Sequence, residues 1–390
     1  MKKNTKQSGL NREAWLVREL FDEKKLKHLP TRDGFGEGLV EAGKGNKNIV
    51  VLCADLTEST RVLAFKQAYP DRFVQMGVSE QSMASIAAGM AMAGKMPFIS
   101  SYACFSPGRN WEQIRTTVAL NNTNVKVAGA HAGVSVGPDG ATHQMVEDIA
   151  IMRVMPNMRV FVPCDSIETR KATLAVAKLS GPCYLRFARE KSPVFTTLKT
   201  PYKVGRAEIY RHGNDLTIIG SGPLLYEALL AAEMLSHEHG IECRVVNMHT
   251  IKPVDVKAIV DAAKQTGAIV TVEEAQAAGG LAGVVAETLA LTVPVVMERV
   301  GVPDRFGESG NPREVQEGLG LTAPFIALAA DRVLQRKLGN TVPAIPAHVT
   351  AAQERLVVMQ QEILHEALSR TPRKWGGKKP DASLKSRRRD

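Results

Sequence analysis

The sequence predicts an α/β fold of two consecutive domains, each a mostly parallel sheet with helices on both faces. Three observations carry this expectation. Short β-branched runs alternate with longer helical patterns over most of the chain. The alternation breaks once, over 191–205, where Ser192, Pro193, Pro201 and Gly205 interrupt it, and then resumes. The chain has 390 residues, 44% of them hydrophobic, which is enough for two ordinary cores.

The elements follow in order. Residues 11–28 space Trp15, Leu16, Leu20 and Leu26 as on a helix, ended by Pro30, so 1–29 is expected to form a basic helical extension. The first domain is expected over 30–195. Its strands are IVVLCA (49–54), FVQM (73–76), PFISS (97–101), VKVAGA (125–130), RVFVP (159–163) and CYLRF (183–187). Its helices are expected over 79–94, 110–121, 143–152 and 165–179. The second domain, 205–338, has strands at 216–220, 242–248, 268–274 and 294–300, with helices at 223–238, 255–265 and 280–291. Two prolines over 341–347, Pro343 and Pro346, mark a linker, followed by a helix over 348–370 and a basic tail over 371–390.

Charge and cysteine usage exclude several classes. The formal net charge is +10, but residues 370–390 hold nine Lys/Arg against two Asp and residues 1–29 hold eight against four acids. The body between the ends is therefore close to neutral. A basic tail can grip phosphate backbones. With one aromatic, Trp375, it lacks a stacking platform, and it is expected to be a solvated tail. No run approaches the ~20 apolar residues of a membrane span, and the N-terminus lacks the apolar core of a secretory signal. Five cysteines without a C-x-x-C pair fit reduced thiols in a cytoplasmic protein.

In parallel sheets ligands gather beyond the carboxyl ends of the strands, so the loops there are the candidates. Glu80 opens a helix of Ala, Gly, Ser and Met residues. Alone it reads as a dipole partner, yet a carboxylate against such a surface could share a proton with a ligand. Tyr102 and Phe105 follow a strand and could face a flat ring, although core packing is the commoner role. His131 and His143 bracket a Gly-rich loop with Asp139. Their spacing fits no compact zinc pattern and suits acid/base work or polar substrate contacts. Arg32, Ser59 and Arg189 fall where loops of one sheet edge would converge, and an arginine fork suits a phosphate. GFGEG (34–38) has no preceding strand and the wrong spacing for a dinucleotide loop, and GSGP (220–223) reads as a plain strand-to-helix turn.

The stretches TRDGFGEGL, ADLTEST, GVSEQSMASIAAGMA, SYACFSPGRNWEQIR, GPDGATHQMVEDIA and LRFAREKSP occur in this order over 31–193, and the likeness they carry is taken to run over about 30–330. Together they resemble the C-terminal half of transketolase, meaning its pyrimidine-binding domain and its C-terminal domain. The resemblance implies thiamine diphosphate as cofactor and transfer of a two-carbon ketol unit between sugar phosphates. It implies that Glu80 meets the aminopyrimidine ring nitrogen and so activates the cofactor, whose electron-sink chemistry is its own. Tyr102 and Phe105 would line the pyrimidine pocket, with Asp55 and Leu56 near the cofactor. His131 and His143 would contact sugar hydroxyls and assist proton transfer, and Asp139 would read a hydroxyl. Arg32, Ser59, His131 and Arg189 would hold the sugar phosphate.

The family's diphosphate domain binds Mg2+ or Ca2+ through a GDG sequence, and no GDG occurs here. The metal ligands, and the diphosphate grip, are therefore expected on a separate N-terminal subunit in an α2β2-like assembly, and this chain alone is expected to be inactive. The nearest alternatives are a 2-oxo-acid dehydrogenase β subunit or half of a deoxyxylulose-phosphate synthase. Arg189, His131, Asp139 and His143 favour sugar phosphates over them. An alternative of another class is a non-catalytic scaffold or nucleic-acid-binding protein using the basic tail. Glu80, His131 and His143 argue against it, and neither a membrane nor nucleic acid is expected as a partner.

Overall fold

Buried parallel strands are apolar along their whole length, because both faces are covered. The computed structural model describes residues 9–342. IVVLC shows this pattern as β2 (Ile49–Cys53), and KVAGA is buried at every position as β5 (Lys126–Ala130), with the Lys126 ammonium held by the Leu179 and Gly181 carbonyls. Before them run β1 (His28–Pro30) and α1 (Thr31–Gly45). Around them lie α2 (Leu63–Ala68), β3 (Phe73–Gln75), α3 (Glu80–Met92), β4 (Met96–Tyr102) and α4 (Trp111–Gln113), which continues into a π-helical stretch over Ile114–Ala119. Then come α5 (Asp148–Arg153), β6 (Arg159–Phe161), α6 (Ser166–Val176), β7 (Cys183–Arg186) and β8 (Lys191–Pro193), which pairs with β1. The second series is β9 (Glu208–Arg211), β10 (Leu216–Gly220), α7 (Leu225–His239), β11 (Cys243–Asn247), β12 (Thr250–Lys252), α8 (Val256–Thr266), β13 (Ala268–Gln276), α9 (Leu281–Leu291), β14 (Val296–Val302), α10 (Pro312–Gly318) and α11 (Ala323–Lys337).

Two main sheets result. The first has seven strands in the order β12-β6-β7-β5-β4-β2-β3, parallel except for β12. The second has five in the order β14-β13-β10-β11-β9, parallel except for β9. β12 comes from the second series yet closes the edge of the first sheet. Asn247 Nδ2, at the end of β11, donates to Glu168 Oε1 in α6 at 2.7 Å and joins the two halves in a buried setting. All five cysteines are free thiols, and four are buried. Among the described residues no helix is long and apolar enough to cross a membrane.

The expected leading helix over 11–28 is absent. The segment makes one 3-10 turn at Arg12–Ala14, capped by Asn11 and stopped by Trp15 in the left-handed region at φ 50°. It continues as turns strapped to the second domain. Leu20 and Leu26 sink into that domain's core beside Tyr226 and Leu229, and the Tyr226 hydroxyl donates to the Leu20 carbonyl. The apolar spacing therefore answers a neighbouring surface, not a helix of its own. The helix expected from 143 begins only at Asp148. GFGEG, set aside above as a dinucleotide loop, lies inside α1, a helix not among the expected elements. Its glycines let α1 approach α6 closely, since a Cβ on Gly34 would sit 1.8 Å from the Ser166 carbonyl oxygen. The helix expected over 348–370 and the tail over 371–390 lie outside the described residues, with most of the 341–347 linker.

Candidate active site

Four parallel strands, β2, β4, β5 and β7, end at one edge of the first sheet, and their following loops carry most of the candidates. Glu80 reaches the same edge from the first residue of α3. Its carboxylate is 1% exposed. Oε1 accepts from Ser101 Oγ at 3.0 Å, and Oε2 pairs with Arg109 Nη1 at 2.9 Å. Asn110 Nδ2 donates to the Glu80 carbonyl at 3.0 Å and so ties the start of α3 to the loop after β4. The apolar setting expected for this carboxylate is thus corrected, because the chain itself gives it a hydroxyl and a guanidinium. Arg109 also lies over the Phe105 ring, 4.6 Å from its centroid.

From Phe105 the rings continue. Phe105 and Tyr102 stand 6.1 Å apart and nearly parallel. His143 meets the edge of Phe105 at 5.5 Å, and Tyr102 stacks on His131 at 3.9 Å. His131 Nε2 faces Arg32 Nη1 at 3.4 Å, and the same Arg32 nitrogen donates to the Ser59 carbonyl at 2.9 Å. Arg189 pairs with Asp139 at 3.1 Å across the Gly-rich loop. Glu80, Tyr102, Phe105, His131, His143, Arg32 and Ser59 therefore form one continuous wall, with Arg189 and Asp139 beside it. His143 stands in the turn before α5, with Nδ1 2.9 Å from the Thr142 hydroxyl. Asp55 and Leu56 lie at the end of β2, where Asp55 adopts φ 60° and its N–H donates to Gln75 Oε1. Their hydrogen bonds run within this turn and to Gln75, not to the ring wall.

The electrostatics of the wall favour an anion. Burial pushes the His131 imidazole down to about 3, helped by the positive charges of Arg32, Arg189 and Arg61 and by His143. Burial and then Arg61 also lower Arg32. His131 is therefore neutral at physiological pH, and its Nδ1 is buried with no hydrogen-bond partner. A neutral ring between arginines can give one hydrogen bond while the arginines meet the charge. Since the folded value lies below the usual 6.5, protons are taken up only far into the acid range. The His131 ring resonances in an NMR titration should stay those of the neutral form from pH 8 down to 5. A midpoint near 6.5 would contradict this burial.

Arg109, Ser101 and Asn110 were not among the sequence candidates. Their signal lay in SYACFSPGRNW itself, where an arginine and an asparagine stand just before a helix that must pack against α3.

The residues present suit a flat, polar heterocycle with an anionic substrate beside it. A buried carboxylate stands at one end, stacked aromatic faces in the middle, and an orphaned His131 nitrogen among arginines at the other. Residues 27–194 match the family described as transketolase, pyrimidine binding domain, and residues 205–326 match transketolase, C-terminal domain. A putative transketolase C-terminal section from Methanocaldococcus jannaschii is 43% identical over 299 residues, 76% of this chain and 93% of that protein. A 6-deoxy-6-sulfo-D-fructose transketolase subunit from Clostridium sp. (strain MSTE9) is 39% identical over 81% of this chain and 98% of its own length. Among solved structures, a split-gene transketolase described as an inactive beta4 tetramer matches with a TM-score of 0.73 and 40% identity, covering 79% of this chain and 99% of that one.

Proposed function

Because this chain belongs to the transketolase family, as a C-terminal subunit of the split type, we propose that it transfers a two-carbon ketol unit between sugar phosphates once an N-terminal subunit completes it. The family implies use of thiamine diphosphate, which supplies the electron sink for carbon–carbon bond cleavage when bound. Glu80 would hold the aminopyrimidine ring nitrogen, and Tyr102 and Phe105 would flank the ring, near Asp55 and Leu56. His131 and His143 would place sugar hydroxyls and move protons at them, with Asp139 reading a hydroxyl. Arg32, Ser59, His131 and Arg189 would take the phosphate. Metal ligands for Mg2+ or Ca2+ would come from the partner subunit, in an α2β2-like assembly working in the cytoplasm.

The observation that supports this most is the continuity of the wall from the Glu80 carboxylate through Phe105 and Tyr102 to His131 and Arg32. A cofactor ring and a phosphorylated sugar need just such adjacent chemistry. Mixing the chain with the N-terminal subunit, thiamine diphosphate and Mg2+ should give turnover of xylulose 5-phosphate with ribose 5-phosphate, and the chain alone should give none. Robust turnover by the isolated chain would refute the need for a partner. Turnover of pyruvate, with none of sugar phosphates, would refute the substrate class.

A second substrate reading is favoured by the likeness to the sulfofructose transketolase subunit. The same arginines could meet a sulfonate in place of a phosphate. Offering 6-deoxy-6-sulfo-D-fructose to the assembled enzyme separates the two.

A further inference from the structure

The Gly-rich loop that carries Asp139 and links His131 to His143 is held in good part by side chains of the second domain. Glu274, near the end of β13 and only 2% exposed, reaches across to it. Its Oε1 accepts the N–H of Ser135 at 2.6 Å. Its own carbonyl accepts Arg186 Nη2 at 2.7 Å, which fixes where the carboxylate starts from. Gln316 Nε2 stands 3.5 Å from the other carboxylate oxygen. The fit is tight, since a Cβ on Gly133 would lie 2.5 Å from Glu274 Oε1. From the loop side, Gln144 Nε2 donates to the carbonyls of Val134, Gly137 and Glu308, the last belonging to the second domain.

Upstream of this bond one non-glycine residue holds a left-handed backbone, His131 at φ 57°, while Gly133 takes φ 89° at no steric cost. A non-glycine residue stays in the left-handed region only while its surroundings over-determine it. The Ser135 N–H is buried, and it needs an acceptor wherever the turn settles. Without one at this place, the turn has reason to relax toward negative φ. The His131 ring would then leave its stack on Tyr102 and its place beside Arg32.

We propose that Glu274 is a positioning residue for the proposed sugar-phosphate site, a carboxylate supplied by the second domain to hold the His131 turn in its working shape. The proposal rests on the reading given under Proposed function for which substrate the loop meets. The role asks for an acceptor oxygen at one distance, and it does not ask for negative charge.

Two variants of the assembled enzyme test it. Glu274→Gln keeps an acceptor oxygen at the same reach. Glu274→Asp keeps the charge but is one methylene short. The aspartate variant should raise KM for the sugar phosphate about ten-fold, the scale of one lost buried hydrogen bond. The Kd of thiamine diphosphate should stay within about two-fold, and the glutamine variant should stay within about three-fold of wild type throughout. Amide hydrogen exchange over 131–137 should quicken about ten-fold in the aspartate variant and not in the glutamine one. A glutamine variant as impaired as the aspartate one would overturn the proposal, as would unchanged exchange in the aspartate variant. The exchange measurement needs no substrate. If wild-type enzyme ignores sugar phosphates while exchange follows this order, the substrate reading fails and the positioning role stands.

Discussion

Replacing Glu80 by alanine should lower the turnover of the assembled enzyme at least ~100-fold, the scale of lost acid/base assistance. The residue is suited to a clean experiment. Its carboxylate is buried, and its partner Arg109 keeps 46% of its side chain in solvent. Removing the carboxylate therefore strands no buried charge, because Arg109 can turn outward. Ser101 loses one acceptor, and the Asn110 bond to the backbone at residue 80 is untouched. Glu80→Gln keeps the shape and an acceptor for Ser101, so it separates proton sharing from packing. Both variants should melt close to wild type and fail in steady-state assays at saturating thiamine diphosphate. A loss below about ten-fold in either would remove Glu80 from the chemistry.

The largest expected effect on stability lies at Asp148. Its Oδ2 accepts Tyr184 OH at 2.6 Å and Arg186 Nε at 2.8 Å, and the Asp148 and Arg186 side chains are 0% and 4% exposed. Asp148→Ala would leave the guanidinium buried without its counter-charge. Breaking one side of such a pair costs about 3–5 kcal/mol. Tyr184→Phe, which removes one donor to the carboxylate and leaves the ion pair, should cost about 1.5–3 kcal/mol. Urea denaturation of the two variants measures both. A loss below about 1 kcal/mol for Asp148→Ala would mean that Arg186 finds another partner at no cost. Arg186 also holds the Glu274 carbonyl, so the damage should spread to the substrate loop.

The first-domain strands were legible because fully covered parallel strands must be apolar throughout, as IVVLC is. The position of Glu80 at the head of α3 was legible from the change to small helical residues. The strap over residues 11–28 was not. Leu16, Leu20 and Leu26 pack against the second domain's core while Trp15 stays exposed, and spacing alone cannot tell an own helix from a foreign surface. α1 was missed because glycine in a sequence suggests a turn, whereas Gly34 and Gly38 serve close contact with α6. Helices α10 and α11 also went unread. Within the site, the loops were found by topology, since the ends of β4, β5 and β7 had to meet. The Arg109–Glu80 and Arg189–Asp139 pairs depend on side-chain reach across loops, which no local pattern records. Glu274 lies 139 residues from Ser135 in the sequence, so only the folded chain brings its role into view.

The strand Thr250–Lys252 has a consequence for how this protein can be divided. It runs antiparallel to Arg159–Phe161 and caps the edge of a sheet to which it does not belong by sequence. A fragment ending before residue 205 would expose the main-chain donors and acceptors of that edge, and such an edge recruits strands from other molecules. The boundary between the two matched families, near residue 200, is therefore crossed by a strand pairing. The two halves share a sheet edge, so a first half cut free near residue 200 should self-associate where the intact chain does not.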